Sequence, residues 1–197
     1  GEIASSSFPA FQRDEATVPF LLRAMNAGAE RSSLMEYSAM VIQRHGYKSA
    51  IPDLIETLDK HDWACLYPAT TLGKLKAKKA YEPIMKLIKD KKVGNRQYMI
   101  QALCYLEDPR CAPFVIDTLH EYRDKNWRMN YSWVPALKSA MAIPNRDLQL
   151  AAIEALQRIE WFRGNAALAK VIELRRQHAD DAEFRRTADA TIKHIDR

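Results

Sequence analysis

The stretch SAIPDLIETLDKHDWACLYPATTLGKLKAKKAYEPIMKLIKD, residues 49–90, states its apolar pattern twice. Ala50, Leu54, Ile55 and Leu58 return as Ala80, Ile84, Met85 and Ile88. The pattern then continues: Leu54 and Ile84 lead to Val115, Leu58 and Ile88 lead to Leu119, and Leu72 and Leu75 return as Leu103 and Leu106. The spacing is 30 or 31 residues throughout. Within each copy the apolar residues recur at the period of an amphipathic helix. One short helix pair cannot bury its own apolar face, but stacked copies can. A repeat of about 30 residues therefore specifies an all-α chain of helix pairs stacked as an α-solenoid.

The expected helices lie near 15–27, 31–45, 49–60, 62–75, 79–90, 95–107 and 111–122. The pattern resumes from 147, with further helices near 165–178 and 181–195. Strand signals are absent: there is no Asn-Gly or Asp-Gly hairpin dipeptide and no sustained alternation. With only 6 Gly and 9 Pro in 197 residues, long regular elements are permitted. Pro52 and Pro113 sit near helix starts, where a missing N–H is harmless. Pro68 falls inside the 62–75 segment and predicts a kink there. The last helix is highly charged, as a terminal helix facing water should be. The chain is thus expected to hold about five helix pairs in one domain over 15–197. It is preceded by an aperiodic, Ser-containing linker over 1–14 that begins with Gly rather than Met. That terminus suits a processed, exported protein and an internally trimmed one equally. No apolar run reaches the length needed to cross a bilayer.

The period breaks once, between about 122 and 146 (YRDKNWRMNYSWVPALKSAMAIPNR). A new pair is due near 124. A polar, aromatic stretch stands there instead, followed by a helix-like run near 132–142.

WACLYPATTLGKLKAKKAYEPIMKLIKD and LQLAAIEALQRIE resemble HEAT-like repeats of the phycobilisome-lyase type. In those repeats an Ala-rich helix ending in an ALGxL-like phrase alternates with a helix carrying P-x-L-I-x-x-L. The resemblance spans roughly 31–195 and implies the fold. It leaves function open, because the family includes non-catalytic scaffolds, bilin lyases, iron-dependent hydroxylases and DNA glycosylases.

Charge is uneven. Lys74, Lys76, Lys78, Lys79, Lys86, Lys89, Lys91, Lys92 and Arg96 face only Glu82 and Asp90, in a chain of net charge +5. Such a cluster attracts a nucleic-acid backbone. Its two halves, however, fall at opposite ends of a helix of about 12 residues, roughly 18 Å apart. Equivalent positions on the expected inner helices also alternate in sign: Glu56, Lys86 and Asp117, then Asp59, Lys89 and His120. A groove tracking a phosphate chain needs a continuous positive stripe, so a solvated lysine rim is the simpler account. The stretch after 122 brings Tyr122, Arg123, Lys125, Trp127, Arg128, Tyr131 and Trp133 into twelve positions. Aromatics interleaved with cations suit peptide hot spots, cation–π contacts or base stacking. Trp133 has apolar companions at helical spacing and is expected inside. Trp127 lacks them and is expected at the surface.

Chemistry is poorly marked. There is no CxxC, no His pair at i, i+4 and no GxSxG. Among the repeat family's hydroxylases several His-Glu pairs build a di-iron site, and this chain has one, His120-Glu121. Asp117 with Trp127 and Trp133 would be the counterparts of a DNA glycosylase's acid and aromatics. Cys104 and Cys111 flank the turn LEDPRC, where a disulfide and two packed thiols are both possible. The expectation is a protein- or peptide-binding scaffold without catalysis, cofactor or metal, with an enzyme (bilin-lyase-like or glycosylase-like) or nucleic-acid binder as the alternative. Its candidate contact residues are Trp127, Arg128, Tyr131 and Arg123 after the break, and Glu56, Lys86, Asp117 and His120 on the inner helices.

Overall fold

A computed structural model describes residues 14–26, 32–58, 65–89, 96–159 and 167–195. The expected linker, apart from Asp14, lies outside the described residues, and so do Asp59, Asp90, Lys91 and Lys92. Among the described residues the chain is all-α. It forms eleven α-helices, and its one pairing of extended backbone is an isolated bridge from Met129 to Ile159. The helices are α1 (Val18–Met25), α2 (Ser32–His45), α3 (Ile51–Leu58), α4 (Leu66–Lys74), α5 (Tyr81–Lys89), α6 (Arg96–Leu106), α7 (Ala112–Asp124), α8 (Trp133–Met141), α9 (Arg146–Leu156), α10 (Leu168–Gln177) and α11 (Ala182–Ile195).

The expected kink at Pro68 does not occur. α4 begins at Leu66, so Pro68 is its third residue. The first turn of a helix has no intrahelical acceptor for its N–H groups, and a proline there removes nothing.

Alternate helices pack on one another and form two rows. α2, α4, α6 and α8 pack in succession in one row, with the α4–α6 contact the most extensive in the molecule. In the other row α3 meets α5, α7 meets α9 and α9 meets α11. Chain neighbours α1–α2, α3–α4, α5–α6, α8–α9 and α10–α11 join the rows. The repeat spacing is visible in the side-chain hydrogen bonds that link successive members of a row. Thr57 donates to Asn26, 31 residues away, at 3.2 Å. Lys76 donates to Glu107, also 31 away, at 2.6 Å. Gln101 donates to Ser132, 31 away, at 3.2 Å, and Arg158 to Asn126, 32 away, at 3.3 Å. Arg146 reaches Asp181 at 35 residues and Gln157 reaches Thr191 at 34.

At the expected break after 122 the spacing changes while the packing continues. α7 runs on to Asp124, α8 takes the place beside α6, and α9 takes the place beside α7. The period is lengthened by a longer helix and a longer loop, and the rows continue through it.

Burial follows the rows. α6 is buried on every side from Met99 to Leu106, because α4, α8 and α5 surround it. Its one buried amide, Gln101, has Ser132 as partner, and no buried side-chain polar atom among the described residues lacks a hydrogen bond. α11 buries one stripe, Phe184, Ala188, Thr191 and Ile195, and turns its charged residues outward.

Two backbone features set the α4–α6 spacing. A Cβ added at Gly73 would lie 2.6 Å from the carbonyl oxygen of Ala102, so only glycine permits this approach. The row's helices also end alike: Gly46, Lys76 and Glu107, after α2, α4 and α6, all take positive φ (65°, 54° and 50°). After α2 and α4 the next N–H turns back to the helix, from Tyr47 to Ile42 at 3.2 Å and from Ala77 to Leu72 at 3.0 Å, the hydrogen bond of a left-handed C-terminal cap. Glycine reaches that conformation without strain; Lys76 and Glu107 do not.

Two substitutions test this account by chemical denaturation. Gly73→Ala should destabilise the fold by about 1–3 kcal/mol, because the helices must separate to admit the methyl group. Lys76→Gly should raise stability by up to about 1 kcal/mol by relieving the left-handed residue. Equal midpoints for both variants and the parent would show that the α4–α6 spacing is not set here.

Candidate functional site

Two surfaces have the make-up of a contact site. The first lies on the row of α2, α4, α6 and α8. Helical spacing puts Tyr37, Met40 and Arg44 on one stripe of α2 and Tyr67, Thr70 and Lys74 on one stripe of α4; on α6 the matching stripe holds half-buried Tyr98 and buried Gln101 and Tyr105. α8 presents Pro135, Lys138 and Ala142 in the same way, with Tyr131 just ahead of its N-cap Ser132. A cleft of about 530 Å³ opens where the ends of these stripes converge, lined by Lys74, Lys76, Tyr105, Glu107, Lys138 and Lys170.

The cleft is basic with an aromatic wall. The Lys74 ammonium stands 5.5 Å from the Tyr105 ring centroid, within cation–π range. Burial lowers the Lys74 pKa, and burial pushes the Tyr105 phenol up to about 12. Lys76 is paired with Glu107, and Lys170 with Glu173 at 2.9 Å. Among the described residues Lys74 and Lys138 have no carboxylate within ion-pair distance. At the other end of the stripes, the Tyr67 phenol is raised first by burial and then by the nearby Glu36 carboxylate and Tyr98.

The second surface is the loop 125–132. Asn126 has φ 51° and caps α7, with the Trp127 N–H donating to the Tyr122 carbonyl at 2.8 Å. Arg158 holds the Asn126 side chain, and the Met129 N–H donates to the Arg158 carbonyl at 3.3 Å. Met129 is buried. The loop is therefore fixed at its start and its middle. Trp127 remains 58% exposed and Tyr131 55% exposed, while Trp133 is 2% exposed. The two tryptophans thus lie as their neighbours in sequence predict. The structure adds one contact that helical spacing hides: Tyr122 lies between them, its ring centroid 5.0 Å from Trp127 and 5.8 Å, edge-on, from Trp133.

The other expected residues are dispersed. Arg123 bonds Asp124 at 3.0 Å and Glu154 at 3.5 Å, and Arg128 is exposed. Glu56, Lys86 and Asp117 are exposed and His120 half-buried, on α3, α5 and α7 respectively. None of these four lines the cleft, nor a second one of about 460 Å³ near Glu15, Leu22 and Asp53. The cleft lies on the row of α2, α4, α6 and α8, not on the row of α3, α5 and α7 expected to be inner. Lys138, Lys170, Tyr105 and Glu107 line it without standing in any local sequence pattern. The available signal was the tyrosine series Tyr37, Tyr67 and Tyr98, spaced by 30 and 31 residues.

Catalytic groupings do not assemble around the residues considered for them. Trp133 is buried and Trp127 exposed, so they do not flank a shared pocket with Asp117. Glu121 is engaged by Lys125 at 2.7 Å, which holds its carboxyl below the ordinary range. No cluster of three or more potential metal ligands occurs among the described residues, and no described helix is long and apolar enough to cross a membrane. Cys65, Cys104 and Cys111 are buried, and no disulfide joins them. Burial pushes Cys104 up strongly and Cys111 up to about 12, away from the thiolate form that reacts. No protein-family model matches the chain, and no curated protein matches it.

Two outcomes are expected. Trp133→Ala should lower stability by about 3–5 kcal/mol, whereas Trp127→Ala, which loses one aromatic contact, should lower it by about 1 kcal/mol. Equal losses in urea denaturation would mean that the loop is structural filling. The three thiols should resist iodoacetamide at pH 8 in the native protein and react together on unfolding. Rapid labelling of Cys104 or Cys111 in the folded state would contradict their burial.

Proposed function

We propose that this chain is an α-solenoid of HEAT-like helix pairs that acts as a protein-binding scaffold without catalysis, and that the loop after α7 is one of its contact surfaces. The observation that carries this reading is the immobilised exposed tryptophan. Trp127 is held by a capped helix end and by its ring contact with Tyr122, and its neighbours Asn126 and Met129 are bonded by Arg158, yet more than half of it faces solvent. A large aromatic presented on fixed backbone loses little conformational freedom on binding, and tryptophan and arginine dominate binding hot spots. Arg123, Arg128 and Tyr131 surround it in sequence and supply a polar rim. The two rows of helices and the cross-links near one repeat length support the solenoid. The motif resemblance to HEAT-like repeats supports the same arrangement.

The test is affinity purification from the native source with the parent chain and with Trp127→Ala, read by mass spectrometry. The variant should keep its helical circular dichroism and lose the principal co-purifying protein. Recovery of the same partners at the same abundance by both chains would remove the loop from the contact surface.

A further inference from the structure

Tyrosines and cations occupy opposite ends of the same stripes. α2 and α4 each carry a tyrosine, exposed Tyr37 or half-buried Tyr67, with a cation seven residues later, Arg44 or Lys74; Tyr131, two residues ahead of α8, likewise stands seven residues before Lys138. On α6 the stripe runs from Tyr98 to Tyr105, and Lys74 of the neighbouring helix leans over that second ring. Seven residues of helix span about 10 Å. The row therefore carries a tyrosine edge and a cationic edge about one peptide width apart, with the cleft at its cationic end.

We infer that this face binds an extended acidic peptide segment in polyproline II conformation, running across the helices with its carboxylates on the cationic edge. The inference rests on the scaffold reading only in requiring no chemistry, and its cationic edge lies apart from Trp127, sharing only Tyr131 with that loop. Three observations select the occupant. Lys74 and Lys138 reach no carboxylate among the described residues, and Lys74 lies 5.5 Å from the Tyr105 ring centroid, so an anionic side chain would complete them. The spacing also fits: packed helices lie about 8–10 Å apart, and polyproline II returns to the same side every three residues, about 9.3 Å on. One acidic residue in three would thus reach the cations of α2, α4 and α8, with Tyr105 of α6 standing between the last two. Finally, tyrosine rings suit this conformation, since aromatic-lined grooves take its ridges.

A single-stranded nucleic acid fits less well. Its phosphates come at every nucleotide, whereas the cationic edge is interrupted at Tyr105.

The probe is a fluorescein-labelled (Glu-Pro-Pro)4 peptide followed by anisotropy at low salt, with (Gln-Pro-Pro)4 and a dT12 oligonucleotide as the other arms. The acidic peptide should bind with a Kd below about 100 μM and the glutamine peptide at least about tenfold more weakly. Lys138→Glu, on an exposed helix face, and Lys74→Glu should each weaken the acidic peptide about tenfold or more. Trp127→Ala should leave its affinity unchanged. Should Lys74→Glu fail to fold, Lys138→Glu carries the test. No measurable binding of (Glu-Pro-Pro)4, equal binding of the glutamine peptide, or indifference to Lys138→Glu would each overturn the inference. So would tighter binding of dT12 with the same sensitivity to the lysine variants, which would assign the face to nucleic acid. Loss of native partners in Trp127→Ala alongside any of these failures would leave the scaffold reading standing.

Discussion

Gly73 brings α4 so close to α6 that a methyl group would meet the Ala102 carbonyl, and the rest of the row is arranged around that approach. The two helices make the largest contact in the molecule, and α6 is enclosed by its neighbours. An enclosed helix must satisfy its own polar groups and carry almost none at its centre. α6 does this with a run of apolar residues and one amide, Gln101, tied to Ser132 at the head of α8. The bond thereby carries the register of the row from α6 to the next helix. The C-terminal caps after α2 and α4 close the helices at matching points, so the chain crosses to the other row at the same level each time. Left-handed backbone at Lys76 and Glu107 is the local expense of that regularity, and the ion pair between the two residues joins the same two helix ends.

Much of this was legible in the sequence. The return of Leu72 as Leu103 marks two fully buried positions, and the return of Leu54 as Ile84 and Val115 marks three more. Apolar periodicity reports burial directly, because burial is what it encodes. Two things were less legible. Pro68 looked like an interruption because helix starts are set by local capping, which hydrophobic pattern does not show. The stretch after 122 breaks the constant spacing, and the sequence does not show that the packing runs on through it. A row of helices requires only that each new helix reach its neighbour, and a longer α7 with a longer loop meets that requirement. The candidate surfaces divided in the same way. Trp127 and Trp133 could be told apart by their companions. The cleft draws Lys74, Lys138 and Lys170 from three helices, and no local pattern joins them.

Charge placement shows why the basic cluster was hard to interpret as a linear run. Lys74 and Lys76 belong to the cleft with Glu107 and Tyr105, whereas Lys86 and Lys89 stand exposed on α5 in the other row. Lys78 holds neither role: its carbonyl accepts from Arg110, whose guanidinium stacks 4.4 Å over Tyr81 and is bonded to Asp108 at 2.8 Å. Five residues of sequence, Lys74 to Lys78, thus contribute to one open cleft and one closed structural cluster. Proximity in sequence does not make these lysines a common field. The cations that converge come from separate repeats.

The two proposed surfaces meet at one residue. Tyr131 follows the Trp127 loop and stands at the head of the α8 stripe that ends near Lys138. Its position is constrained from both sides: Met129 is buried and bonded to the end of α9, and the Ser132 N–H donates to the Asn130 side chain at 3.1 Å while its hydroxyl accepts from Gln101. A loop merely tolerated by the fold would need none of these anchors. Here the extra length that displaced the repeat is pinned at Asn126, Met129 and Ser132, and the aromatic residues between the anchors, Trp127 and Tyr131, are the ones left facing solvent. The physical effect is to present two large rings at low entropic cost beside a row whose own face starts, helix after helix, with tyrosine.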